Sequence, residues 1–173
     1  MTQTDVSPQV LPRLVAFDLD DTLAPSKSAM PPAMATALRR LLDVVPVCII
    51  SGGQVGQFRD QVLAHLDADA DELSRLHLMP TCGTRYYTYD PSQAGRGTDA
   101  WKLVYANDLT PEQIRTGFEI VEAQARRLGL WAERTWGEIL EDRGSQITFS
   151  ALGQEAPLDA KRAWDPDGTK KAA

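Results

Sequence analysis

The chain has 173 residues, 43% of them hydrophobic and 24% charged, with a net charge of −6. Those proportions fit a soluble globular protein of one domain, or one domain carrying an insertion. They speak against a nucleic-acid partner, because no basic patch or interleaving of aromatic and basic residues is present. No run approaches the length of a membrane span. Residues 1–10 lack the apolar core of a signal peptide, so a cytoplasmic location is expected. Cys48 and Cys82 do not form a metal-ligand spacing, and Cys48, within an apolar run, reads as a small core residue.

In chain order, residues 1–12 read as a loose polar arm. The apolar run 14–17 predicts a buried strand. It ends in Asp18, Asp20 and Asp21, with Thr22 beside them. Strand period places Asp18 and Asp20 on one side and turns Leu19 away. Burying a carboxylate is costly unless a cation or hydrogen-bond donors hold it. Acids at the end of a core strand therefore mark a metal or catalytic site, and ligands of open parallel sheets bind beyond the carboxyl ends of the strands.

Pro31 and Pro32 open a helix whose apolar side is Met34, Leu38, Leu41 and Leu42. A second buried strand is predicted over 44–50, ending at Ser51, Gly52 and Gly53. A right-handed crossover makes the two strands parallel and brings Ser51 to the sheet edge that carries Asp18. Val55, Phe58, Val62 and Leu66 define a further helix, with His65 suited to its C-terminal end. Residues 67–74 read as a polar connection and 76–79 as a core strand in which His77 is structural.

Beyond Pro80 the pattern changes. Residues 84–89 and 101–105 predict an antiparallel hairpin with a long turn over 90–100. Thr110, Pro111 and Gln113 combine an N-cap, a proline at the first helical position and a capping box. Ile114, Phe118, Val121, Ala125 and Leu128 continue that helix and Gly129 stops it. A strand follows over 146–150. Residues 165–169 read as a turn opening a helix with Lys170 and Lys171. Antiparallel strands and a helix after a parallel unit imply a second, α+β module.

Two carboxylates on one side can divide two tasks, one attacking an electrophile and the other moving protons. Mg²⁺ suits a site of one or two carboxylates completed by substrate phosphate, and would shield an anionic nucleophile from an anionic phosphoryl group. Phosphoryl transfer is the chemistry these residues suit.

Phe17-Asp-Leu-Asp-Asp-Thr-Leu23 resembles the first signature of the haloacid dehalogenase (HAD) superfamily of phosphatases and phosphomutases. The resemblance implies an α/β fold: a partial Rossmann-like HAD core with a parallel sheet, plus an inserted α+β cap of the C2 type. The arm would occupy 1–12, the first part of the core 13–80 and the cap 81–173. It implies that Asp18 becomes an aspartyl-phosphate, that Asp20 is the general acid/base, and that Mg²⁺ is held by the Asp18 carboxylate and the Asp20 carbonyl. It also implies that Thr22, Ser51 and Gly52 bind the phosphoryl group. The position after the second acid is often Gly in the family and is Asp21 here.

The closest class is subfamily IIB, with a C2b cap, which includes phosphomannomutase and sugar-phosphate phosphatases. Residues 141–154 resemble a phosphomannomutase cap segment whose arginines grip a distal phosphate. Arg143 falls on one such position; Gln154, Lys161 and Lys27 replace Arg at others. Gln cannot make the bidentate contact of Arg, which counts against a mutase. The expected function is a Mg²⁺-dependent phosphohydrolase acting on a small phosphorylated metabolite, a sugar phosphate. The alternatives are a hexose phosphomutase and a non-catalytic fragment. The family's later lysine and its late acidic signature are not recognisable, so the chain resembles the first part of a longer enzyme. Open strand edges beside Asp18, and self-association through them, are expected.

Overall fold

The computed structural model describes residues 11–170, without the side chains of 98 and 99. Most of the expected arm, residues 1–10, and Lys171 lie outside the described residues. The chain divides into two compact units, Met1–Ala106 and Asn107–Ala173. Among the described residues no helix is long and apolar enough to cross a membrane.

The first unit is built on a five-stranded sheet of order β1-β2-β3-β4-β5. β1 (Val15–Phe17) leads through α1 (Pro32–Leu42) to β2 (Val47–Ile50). The two strands are parallel, with Val15 opposite Val47 and Phe17 opposite Ile49. The polypeptide then runs through α2 (Val55–Phe58), a π-helical turn (Arg59–Leu63), α3 (Ala64–Leu66) and α4 (Ala70–Ser74) to β3 (Leu76–Met79). β3 is parallel to β2. β4 (Arg85–Tyr89) and β5 (Trp101–Ala106) complete the sheet antiparallel. β1 thus lies at one end, hydrogen-bonded on one side only among the described residues, with Leu14 and Ala16 exposed.

Period-2 alternation gives one face of the sheet Val47, Ile49, Leu76 and Leu78, all fully buried. Helical spacing gives α1 its buried Ala35, Leu38 and Leu42. These join Phe58, Val62 and Leu66 in one hydrophobic cluster. Arg39 on α1 reaches Glu72 on α4 at 2.9 Å, linking the two helices.

The expected hairpin belongs to this sheet and not to the second module, where the change of pattern after Pro80 had placed it. The connection 67–74 contains α4, whose Asp69 and Glu72 form a reciprocal capping box. The second strand begins at Val47 because Val44 and Val45 close the turn after α1, both donating to the Leu41 carbonyl.

On the opposite face of the sheet, His77 Nδ1 shares a 2.8 Å hydrogen bond with the Tyr86 hydroxyl. Burial holds the imidazole below its ordinary pKa of 6.5. The unfolded chain therefore takes up this proton before the folded one does. Stability is complete above the unfolded value and falls as the pH drops from about 6.5 toward the lower folded value. A urea midpoint that declines between about pH 7.5 and about pH 5.5, with a shallower decline in His77→Phe, is the expected result.

The second unit holds α5 (Pro111–Arg127), a hairpin of β6 (Leu140–Asp142) and β7 (Ile147–Phe149), and α6 (Leu158–Trp164). Thr110 and Gln113 form the expected capping box. Gly129, at φ +69, follows the helix end as expected of a stop. Among the described residues, 165–170 form a turn and no helix: Asp165 is the C-cap of α6, and the Lys170 amide donates to its carboxylate.

Candidate active site

Asp18 follows β1 and Ser51 follows β2, so both emerge at the carboxyl ends of adjacent parallel strands. Asp18 is exposed and Ser51 is 8% exposed. The chain then folds back on itself. The carbonyl of the buried Leu19 accepts from the amides of Thr22, Leu23 and Ala24, and Asp21 N donates to Ala24 O at 2.7 Å. Leu19, Leu23 and Ala24 enter the core and pin the loop. This closure requires a left-handed residue at Asp21, φ +58. Glycine adopts that conformation freely and aspartate tolerates it, which accounts for the type of residue found there. The Asp21 carboxylate accepts from Ser26 N, so it serves the loop.

Asp20 is held from three directions. Gln57 Nε2 donates to Oδ2 at 2.8 Å, Gln61 Nε2 to Oδ1 at 3.4 Å, and Lys27 N to Oδ1 at 3.0 Å. The two amides are also joined to each other, Gln57 Nε2 to Gln61 Oε1 at 3.1 Å. Gln61 is buried, and its backbone carbonyl accepts from Met30 N at 2.8 Å. Sequence reasoning missed both glutamines. The signal was a pair of amides four apart in the helix directly after Ser51. Lys27 takes part through its amide at φ +53. An amide carries both a donor and an acceptor, so the pair can meet an ionised carboxyl group or, turned over, a protonated one.

Around Ser51 the backbone is tightly laced. Cys82 N donates to Ser51 O and Thr81 N to Gly53 O, both at 2.9 Å. Thr81 and Cys82 have φ of +50 and +56, uncommon for side chains of these types and costly for β-branched Thr81. A Cβ added to Gly52 would lie 3.7 Å from Cys82 Sγ. Thr22 is exposed in the loop after Asp20.

Lys27 belongs to the first unit; Arg143, Gln154 and Lys161 belong to the second. Arg143 Nε and Nη2 both donate to Glu141 Oε2, at 3.0 and 2.8 Å, and Nη2 reaches Gln154 Oε1 at 3.4 Å. Arg143 and Gln154 are therefore neighbours, and the guanidinium already has a carboxylate. Lys161, on α6, lines a cavity of about 480 Å³ with Phe149, Trp164 and Lys170.

Among the described residues no group of three or more His, Cys, Asp or Glu side chains is gathered as a metal cage. Mg²⁺ does not need one; it binds through one or two carboxylates with water and substrate oxygens. The exposed Asp18 carboxylate and the Asp20 carbonyl, to which no backbone donor is paired among the described residues, suit that ion.

No family model matches the chain, and no curated protein does. Solved structures do. An N-terminally truncated IMP-nucleotidase of Plasmodium falciparum matches with a TM-score of 0.57 at 13% identity, over 92% of this chain and 47% of that one. Another structure of IMP-nucleotidase from the same organism matches at 0.53 and 13% identity, over 78% of this chain and 34% of that one. A HAD superfamily phosphatase from Bacteroides thetaiotaomicron matches at 0.44 and 14% identity, over 71% and 40%. The fold shared with the IMP-nucleotidase structures is an α/β one, a mixed sheet flanked by helices. At these identities the likeness is one of fold, and the chain spans less than half the length of these structures.

Proposed function

We propose that this chain carries the nucleophile and the acid/base of a Mg²⁺-dependent phosphohydrolase that acts on a phosphorylated sugar through an aspartyl-phosphate. The observation that supports this most is the placement of Asp18 beside Ser51 at the carboxyl ends of paired strands, with Asp20 fixed by Gln57 and Gln61. An Asp18 oxygen forms a bond to phosphorus as the ester P–O bond breaks. Asp20 gives its proton to the departing alkoxide. Water then attacks the aspartyl-phosphate, returning a proton to Asp20, and the P–O bond to Asp18 breaks to release phosphate. Ser51 donates to a phosphoryl oxygen, supported by Thr22 and Gly52. Mg²⁺, when bound by Asp18 and the Asp20 carbonyl, supplies charge neutralisation.

Two features favour hydrolysis over phosphomutase activity. Gln154 is not an arginine, and Arg143 is paired with Glu141. Lys27, Arg143, Gln154 and Lys161 are the proposed contacts for the far end of the substrate. The test is phosphate release from a panel of sugar phosphates with and without Mg²⁺, beside a coupled assay for conversion of mannose 1-phosphate to mannose 6-phosphate. Mg²⁺-dependent release without isomerisation is expected. Isomerisation would establish the mutase, and sugar-phosphate binding without turnover would establish a non-catalytic domain.

Replacing one of the two amides probes the acid/base role of Asp20. Gln57→Leu removes the shortest contact to Asp20 without touching the nucleophile. Turnover should fall about ten- to a hundredfold, the scale on which misplacement of a catalytic group acts. KM should change little, and the pH profile of kcat should move. An unchanged profile at unchanged kcat would remove the glutamines from the mechanism.

A further inference from the structure

Ser51, Gly52 and Gly53 form the loop on which the proposed reaction relies for the phosphoryl group, and two of the three are glycines. Consecutive glycines carry large conformational freedom, so such a loop keeps one shape only under outside constraint. The turn after β3 supplies it. Ser51 N donates to Met79 O at 3.3 Å, Cys82 N to Ser51 O and Thr81 N to Gly53 O. No peptide bond among the described residues is cis, so the N–H of each peptide points opposite to its carbonyl. With the Ser51 carbonyl fixed on Cys82, the Gly52 N–H is directed away from the turn. Gly53 is constrained on another side as well. A Cβ there would lie 2.0 Å from Gln57 Oε1, so the glycine lets the amide that holds Asp20 pack against the same loop.

The turn achieves this at a cost. Thr81, Cys82 and Gly83 are left-handed in succession, at φ +50, +56 and +81. Left-handed residues ordinarily occur singly and are seldom β-branched. The conformation has a use. Successive amides of an extended chain point to opposite sides, whereas those of a helical turn point the same way. Thr81 and Cys82 can then donate together to one loop. Thr81 is buried, and the Thr84 hydroxyl bonds both its carbonyl and its hydroxyl, which holds the turn from the other side. Costly backbone conformations persist where their surroundings over-determine them, and they recur at ligand clamps and active sites.

We propose that Thr81 and Cys82 are positioning residues for phosphoryl binding that act through Ser51 and Gly52, a role that rests on the phosphohydrolase reading of Asp18 and Ser51. The work belongs to their backbone amides and left-handed shape. The Cys82 thiol takes no part in it.

Cys82 is exposed, so its backbone preference can be changed without filling the core. Asparagine tolerates the left-handed conformation and β-branched valine opposes it. Titration of the full chain with inorganic phosphate in Mg²⁺, followed by NMR at the Gly52 amide itself, reads this loop and no other site. Without phosphate, the Gly52 resonance should move in Cys82→Val and stay near its original position in Cys82→Asn. The dissociation constant for phosphate read at Gly52 should rise about tenfold or more in Cys82→Val and match the unaltered chain in Cys82→Asn. Thr84→Val, which releases Thr81 from the other side, should act in the same direction and reads out even where Cys82→Val fails to fold. An unmoved Gly52 resonance in a folded Cys82→Val or Thr84→Val overturns the positioning. Equal loss in Cys82→Asn and Cys82→Val overturns it in favour of the thiol. A moved resonance with unchanged phosphate affinity overturns the link to phosphoryl binding. A Gly52 resonance indifferent to phosphate in the unaltered chain overturns the reading of the site itself, and the role of the turn with it.

Discussion

Asp18→Asn is expected to reduce phosphate release by about 10³-fold or more, since the amide cannot form the covalent intermediate and leaves only binding and electrostatic assistance. The change is nearly isosteric, and Asp18 is exposed beyond the end of β1, so the fold should be untouched. Phosphate release and the urea midpoint, measured on the same preparation, separate the two effects. A variant that keeps both its stability and its turnover would end the assignment of Asp18 as nucleophile. A variant that loses both would show that Asp18 contributes to folding.

Phe58→Ala should cost about 3–5 kcal/mol of stability, the usual range for emptying a core aromatic position. Phe58 is fully buried and is among the largest side chains of the core cluster. Domains of this size are stable by only about 5–15 kcal/mol, so the loss is a large fraction of the whole. The urea midpoint should fall sharply with an unchanged slope, which marks lost stability without a change in the surface exposed. A shift equivalent to less than about 1 kcal/mol would mean that the helix carrying Phe58 repacks around the gap. Phe58 directly follows Gln57, so the same substitution should also disturb the hold on Asp20.

The strands were legible where a short apolar run met a change of chemistry, as at Phe17 and Asp18 or Ile50 and Ser51. Period and the crossover rule were then enough to place the acids and the serine at one sheet edge. The N-terminus of α5 was legible because Thr110, Pro111 and Gln113 each state the same thing. Asp69 and Glu72 carry the same kind of signal, but five helical residues are too few to show an apolar period, and α4 was overlooked. The hairpin was recognised but read as part of a second module. A strand's own residues do not say which edge it joins, and β4 joins β3 through pairing of His77 with Thr88 and Leu78 with Tyr87. The π-helical turn was invisible because Val55, Phe58, Val62 and Leu66 satisfy helical spacing on either winding. Gln57 and Gln61 lie off that apolar pattern and so carry no signal of their own, although Gln61 is buried.

An α-helix that gains a single residue commonly absorbs it as a π-helical turn. Loss of any one residue from Arg59–Leu63 would restore regular winding but swing everything after it by about 100° relative to what precedes it. Gln57 and Gln61 would then no longer face Asp20 together while Phe58 and Leu66 kept their places in the core. Length in this stretch is thus as constrained as composition. Homologues with a one-residue indel here are expected to have replaced the amide pair by some other means of orienting the acid.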